Sequence, residues 1–168
     1  MTVPHVWVAE PHEAETVARL MVAFRDHLGR DWPSANAFLA GIEGEMEQAD
    51  TEFLLGAAHA DAPPAGVAQL RYRYGLWRAG TDCHLEDLFV AEDARGAGLG
   101  VALVRAAIGR ARERGCRRLE LDVNEANAPG LAVYRSAGFA VPPPGERDVW
   151  LSLHLDGERA GPAGSESG

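Results

Sequence analysis

Residues Arg95-Gly96-Ala97-Gly98-Leu99-Gly100 stand between an apolar run, Leu85–Val90, and a helical pattern that begins at Leu99. Three glycines within five positions remove the side chains just where a strand hands the chain over to a helix. Backbone N–H groups left bare there can close on an anion, and the positive end of the helix dipole faces the same point. No Gly-Lys-Ser/Thr follows, so this is not a Walker A loop. The glycine spacing also departs from a dinucleotide-binding Gly-x-Gly-x-x-Gly. The stretch predicts a cradle for a diphosphate at the edge of a sheet.

Outward from the cradle, the chain supplies that sheet. Leu99–Arg114 reads as a helix stopped by Gly115, and Arg117–Val123 alternates Leu119, Leu121 and Val123 with charged residues. Strand, helix and strand make a βαβ unit, so Leu85–Val90 and Arg118–Val123 are expected parallel, with a right-handed crossover. Upstream, Val3–Ala9, Thr51–His59 and Val67–Leu76 read as strands, the last two joined by the turn residues Asp61–Gly66. Helices are expected over Glu13–Leu28, with Val17, Leu20, Met21, Phe24 and Leu28 on one stripe, and over Ser34–Gln48, capped by Ser34. Downstream, Ala128–Ser136 is a short helix and Val149–Leu155 a last strand, after a triple proline at 142–144. The expected class is α/β in the α+β sense: a mixed sheet with helices on both faces. One domain covers residues 1–156, and the small polar tail 157–168 is expected to be disordered.

Composition narrows the partners. The formal charge is −9, and residues 1–60 carry three Arg against ten acids. So acidic a front half argues against nucleic acid, which needs a basic face. All 16 basic residues are Arg. Two cysteines, Cys83 and Cys116, are too few for a disulfide framework and are expected as free thiols in a reducing compartment. With no signal peptide and no apolar run long enough to span a bilayer, the expectation is a cytoplasmic protein without a membrane partner. His5, His12, His27, His59 and His154 are scattered, with no metal-ligand spacing, and no metal is expected.

Three segments taken together carry a family resemblance. They are Leu85-Glu-Asp-Leu-Phe-Val90, Arg95-x-x-Gly98-x-Gly100, and Asn127-x-x-Gly130-x-x-x-Tyr134-x-x-x-Gly138-Phe139. Over about residues 84–155 this conjunction resembles the GNAT superfamily of acetyl-CoA-dependent N-acyltransferases. The resemblance implies a mostly antiparallel mixed sheet whose fourth and fifth strands run parallel and splay apart to admit the pantetheine arm. It assigns the diphosphate of acetyl-CoA to backbone amides of Arg95, Gly96, Ala97, Gly98, Leu99, Gly100 and Val101. Backbone groups of Leu88, Phe89 and Val90 would pair with pantetheine and hold the thioester carbonyl. Asn127 would contact pantetheine or cap its helix, and Arg135 is a candidate for the adenosine 3′-phosphate. Gly130 departs from the family's usual Ala, with little consequence expected.

Acyl transfer to an amine needs a neutral amine, a polarised carbonyl and a proton for the departing thiolate. The resemblance makes Tyr134 the general acid and places a carboxylate, Glu86, near the acetyl group as general base. Asp87 is the competing base, a water chain with no single protein base is the third alternative, and a bulge of the kind common in the family would scramble the alternation that otherwise parts the two acids. His84 shares the face of Glu86 and is either an exposed strand-end residue or a proton relay. Acceptor contacts are expected from Phe24, His27, Trp32, Phe38, Glu43, Glu47, Tyr72, Tyr74 and Trp77, which favour a cationic amine. Arg71 and Arg73 could instead hold a substrate carboxylate. The leading expectation is direct acetyl transfer to a small amine. The alternatives are a non-catalytic acyl-CoA-binding module and a protein N-acetyltransferase. Family habit adds a homodimer.

Overall fold

The computed structural model describes residues 2–155. Among these the chain forms β1 (His5–Val8), α1 (Ala14–His27), α2 (Ala35–Met46), β2 (Thr51–Ala57), β3 (Gly66–Gly75), β4 (Gly80–Val90), α3 (Leu99–Glu113), β5 (Arg118–Leu121) and α4 (Ala128–Ser136). The strands lie side by side in chain order. Neighbours from β1 to β4 are antiparallel, and β4 pairs with β5 in parallel through the α3 crossover. This is the mixed sheet the sequence implies.

Alternation along the strands builds two cores. On one face, Phe53, Leu55, Val67 and Phe89 meet Val17, Leu20 and Met21 of α1 and Ile42 of α2. On the other, Leu54, Ala68, Leu70 and Leu85 meet Leu99, Leu103 and Ala107 of α3, with Tyr134 of α4 at the margin. The α2 start follows from Ser34, whose hydroxyl accepts from the Ala37 N–H at 3.2 Å.

Two glycines set how close α3 comes to the sheet. Gly56 and Gly66 face each other across β2 and β3. A Cβ on Gly56 would stand 2.8 Å from Leu99 Cδ1, and one on Gly66 would stand 2.9 Å from Leu103 Cδ1. Leu99 and Leu103 are wholly buried, so their methyls have little room to give. Further along α3, Glu52 of β2 accepts from the Tyr72 hydroxyl at 2.9 Å and from Arg110 Nε at 3.0 Å. Burial alone would raise this carboxyl, but those donors outweigh it and hold Glu52 below its ordinary value.

The last expected strand is not formed. Among the described residues Val149–Leu155 pairs with no other strand, and it is almost wholly exposed, although its residues alternate as a strand would. β5 is also shorter than expected, ending at Leu121 rather than Val123. A period-two pattern supplies propensity, whereas a strand exists only where a partner accepts its ladder. The tail 157–168 lies outside the described residues.

Replacing Gly66 by Ala is expected to cost about 1–3 kcal/mol through overpacking. Thermal denaturation should show a lower Tm for G66A, and an unchanged Tm would refute the close-approach account.

Candidate active site

The parallel pairing of β4 and β5 is brief. Four rungs, Asp82 to Leu85 against Arg118 to Leu121, complete it, and β4 then runs on to Val90 without β5 beside it. The strands therefore fork after Leu85. Beyond the fork, the β4 edge turned towards β5 carries no ladder among the described residues, so its backbone groups, apart from Val90 O, which accepts from Arg95, are open to another extended partner.

A bulge sits at the same place. Gln69 pairs with Asp87 and Leu70 with Leu85, which leaves Glu86 as the extra residue. Regular alternation would send Glu86 and Asp87 to opposite faces. The bulge instead brings both to the α1/α2 face. Glu86 Oε2 lies 3.7 Å from Arg71 Nε and 3.8 Å from His84 Nε2. Burial raises the Asp87 carboxyl, and Glu86 raises it further.

Around this pair stands a charged network. Glu45 of α2 accepts from Gln69 Nε2 at 2.7 Å and also pairs with the Arg71 guanidinium. His84 Nε2 lies 3.6 Å from Asp122 Oδ2, the first residue beyond β5. Glu45, Gln69 and Asp122 were not among the expected acceptor residues. Glu43 and Glu47 were, and both face solvent, whereas Glu45 lies one helical turn beyond buried Ile42 and turns inward. That spacing of three was the available signal. Trp77 and Leu76 project into solvent at the β3–β4 turn, and Tyr74 is largely exposed. Phe24 stacks on Phe89 at 5.1 Å, with His27 tilted against the same ring.

The glycine-rich turn has the expected form. Gly96 and Gly98 take φ of +84° and +80°, and Gly98 caps α3. Among the described residues, the N–H groups of Gly96 to Val101 meet no backbone or side-chain acceptor. The first donor to find one is Ala102, which reaches Gly98 O at 3.0 Å. No acid occupies the first turn of α3. The Arg95 side chain folds back, donating from Nε to Val90 O at 3.0 Å with its guanidinium 5.8 Å from the Phe89 ring. It braces the turn against the end of β4.

α4 carries the remaining expected residues. Asn127 Oδ1 accepts from the Gly130 N–H at 3.0 Å, so its side chain is an N-cap. A Cβ on Gly130 would lie 2.6 Å from Asn127 Nδ2. The Gly130 departure therefore has a local consequence: the usual Ala would displace the capping amide. Tyr134 packs edge-on to Phe139, and burial raises its hydroxyl, which stays protonated. Tyr134 and Arg135 line an open groove of about 1490 Å³ along the side of β5 away from β4. None of the cradle residues lines this groove, so its size does not locate the chemistry. Among the described residues no group of side chains could hold a metal ion, and no helix is long and apolar enough to cross a membrane. Cys83 and Cys116 are free.

This geometry agrees with the wider relationships of the chain. Residues 16–139 match the model of the Acetyltransferase (GNAT) family. The chain belongs to that family and is an acyltransferase. Among its relatives is L-methionine sulfoximine/L-methionine sulfone acetyltransferase of Pseudomonas aeruginosa, 35% identical over 85% of this chain and 91% of that protein. Aminoglycoside N(6′)-acetyltransferase type 1 of Stenotrophomonas maltophilia is 28% identical over 91% and 95%. Streptothricin acetyltransferase of Streptomyces lavendulae is 40% identical over 60% of this chain, which spans 49% of that protein. A solved aminoglycoside acetyltransferase from an uncultured soil metagenomic sample shares the fold, with a TM-score of 0.75 at 14% identity over 90% of this chain and 96% of that one.

The raised Asp87 carboxyl has a consequence for stability. A carboxyl whose folded value lies above the unfolded one stabilises the protein at low pH and loses that contribution as pH rises through the folded value. Ionisation of Asp87 therefore costs stability. The D87N variant should melt above the wild type at neutral pH, with the gap closing as the solution is acidified. A gap that widens on acidification would contradict the raised value.

Proposed function

We propose that the chain is an N-acetyltransferase that moves the acetyl group of acetyl-CoA directly to a primary amine of a small cationic acceptor. The observation that carries this reading is the fork. It joins a free strand edge, six unpartnered N–H groups at a helix start, and two carboxylates brought to one face by a bulge. The glycine turn suits the diphosphate of the donor, and the edge of Leu88, Phe89 and Val90 suits its pantetheine arm.

The acceptor side is acidic. Glu45, Glu86, Asp87 and Asp122 surround one arginine and one histidine, which favours a protonated amine over an acid. Glu86 draws a proton from the bound ammonium, and the freed nitrogen lone pair attacks the thioester carbonyl. The tetrahedral adduct expels the thiolate, which takes the Tyr134 hydroxyl proton, and the second proton lost by the nitrogen restores that hydroxyl. Asn127 steadies α4 beneath Tyr134. No covalent enzyme intermediate is needed. The relatives are acetyltransferases of streptothricin, of aminoglycosides and of methionine sulfoximine, a range that supports a small acceptor.

Asp87 is the second reading for the base, favoured by its burial and raised proton affinity. Comparing E86Q with D87N separates the two, because loss of the base lowers kcat far more than loss of its neighbour.

The Y134F variant is expected to lower kcat about 10²-fold while leaving acetyl-CoA affinity unchanged by calorimetry. Wild-type protein that binds acetyl-CoA but forms no amide with any member of a broad amine panel would point instead to an acyl-CoA-binding module.

A further inference from the structure

His84 occupies a place that none of these roles uses. Its Nε2 stands in the fork itself. On one arm it is 3.8 Å from Glu86, the first β4 residue beyond the paired rungs. On the other it is 3.6 Å from Asp122, the first residue beyond β5. We propose that His84 is a positioning residue and proton conduit, taking from Glu86 the proton drawn from the amine and passing it to Asp122 at the surface. This rests on the acetyl-transfer reading above.

The need for such a path follows from the proton balance. An ammonium and a thioester give an amide, a thiol and one proton released to solvent. Of the two protons the nitrogen loses, one ends on the thiol through Tyr134. The other must leave Glu86 before the next turnover. Glu86 is 42% exposed, yet it is flanked by Arg71, and a bound acceptor would cover it. Asp122 is 73% exposed and lies on the far arm of the fork.

The other charged neighbours are poorly suited to carry this proton. Arg71, opposite His84 on β3, stays protonated. Glu45 on α2 is held by Gln69 and Arg71. Glu120, the β5 partner of His84, pairs with Arg78 and Arg118. Asp87 is more buried than Glu86 and makes no ion pair with His84 among the described residues. An imidazole has a nitrogen that can accept and one that can donate, so it can pass a proton on, whereas an arginine offers donors only.

The transfer is balanced at each atom. The Glu86 carboxyl O–H breaks as an N–H forms at Nε2 of the neutral imidazole. That N–H then breaks as the proton passes to Asp122 Oδ2 and from there to solvent, and His84 returns to its starting state. The present separations are ion-pair distances. Proton transfer requires side-chain rotation of Glu86 and Asp122 that shortens each separation to about 2.6–3.2 Å.

The test follows amide product from a wild-type enzyme and its H84Q, H84A and D122N variants, with the best amine from the panel. The expected result is a fall in kcat of roughly 10-fold or more for H84Q and H84A, with KM for acetyl-CoA unchanged. Free imidazole should restore H84A in a concentration-dependent way, which a merely structural histidine would not permit. An H84A variant that folds and is slow but not rescued overturns the proposal, as does wild-type kcat in H84Q. Should the His84 variants fail to fold, exposed Asp122 decides: D122N must be slower and must recover with buffer concentration, and wild-type behaviour overturns the conduit. Wild-type protein that acetylates no amine overturns the acetyl-transfer reading and the conduit with it. An active wild type whose variants fail these tests overturns the conduit alone.

Discussion

One extra residue in β4 governs the site. Without the bulge at Glu86, Glu86 and Asp87 would point to opposite faces of the sheet, one towards α1 and α2 and the other towards α3. With it, both acids join Gln69, Arg71 and His84 on a single face, and the increased local twist coincides with the end of the β4–β5 ladder. The register shift lies on the β3 side of β4 and the bare edge on the β5 side, so the carboxylate pair and the fork meet at one place in the strand.

The fork has value only if the helix start stands at the right height above the sheet. Gly56 and Gly66 let Leu99 and Leu103 come down onto β2 and β3 at a distance that larger residues would prevent. Leu99 is the first residue of α3, directly after Gly98, so this packing fixes the turn as well as the core. Arg95 braces the turn from the other side through Val90 O. At the far end of α3, Glu52 ties Arg110 and Arg114 to β2, so the helix is held at both ends.

Much of this was legible in the sequence because it depends on local signals. Glycine spacing, the Ser34 cap, the apolar stripes and the βαβ order are written in neighbouring residues. The site was less legible where it depends on register. Nothing in Leu85-Glu-Asp-Leu marks which acid is the extra one, and the resemblance suggested a bulge without fixing its face. Glu45 escaped because it is polar on a helix whose other acids face solvent, and only its spacing from Ile42 sets it apart. Asp122 matters through a contact across strands, which no pattern within one strand can disclose. Val149–Leu155 failed in the opposite sense: its alternation is clear, but the structure gives it no partner strand.

The two ends of the β4 segment beyond the fork have opposite electrostatic character. At Glu86 and Asp87 the surroundings are acidic, with Glu45 and Asp122 close by and Arg71 shared between two of the four carboxylates. Past Val90 the chain reaches unpaired N–H groups and the positive end of α3, with no acid in its first turn. A molecule with an anionic tail and a reactive head, laid along this edge, would be drawn in one direction only. A cationic acceptor would be drawn to the other end. Opposed potentials at the two ends of five residues would therefore orient both partners as well as attract them, with the head of one against the nitrogen of the other at the fork.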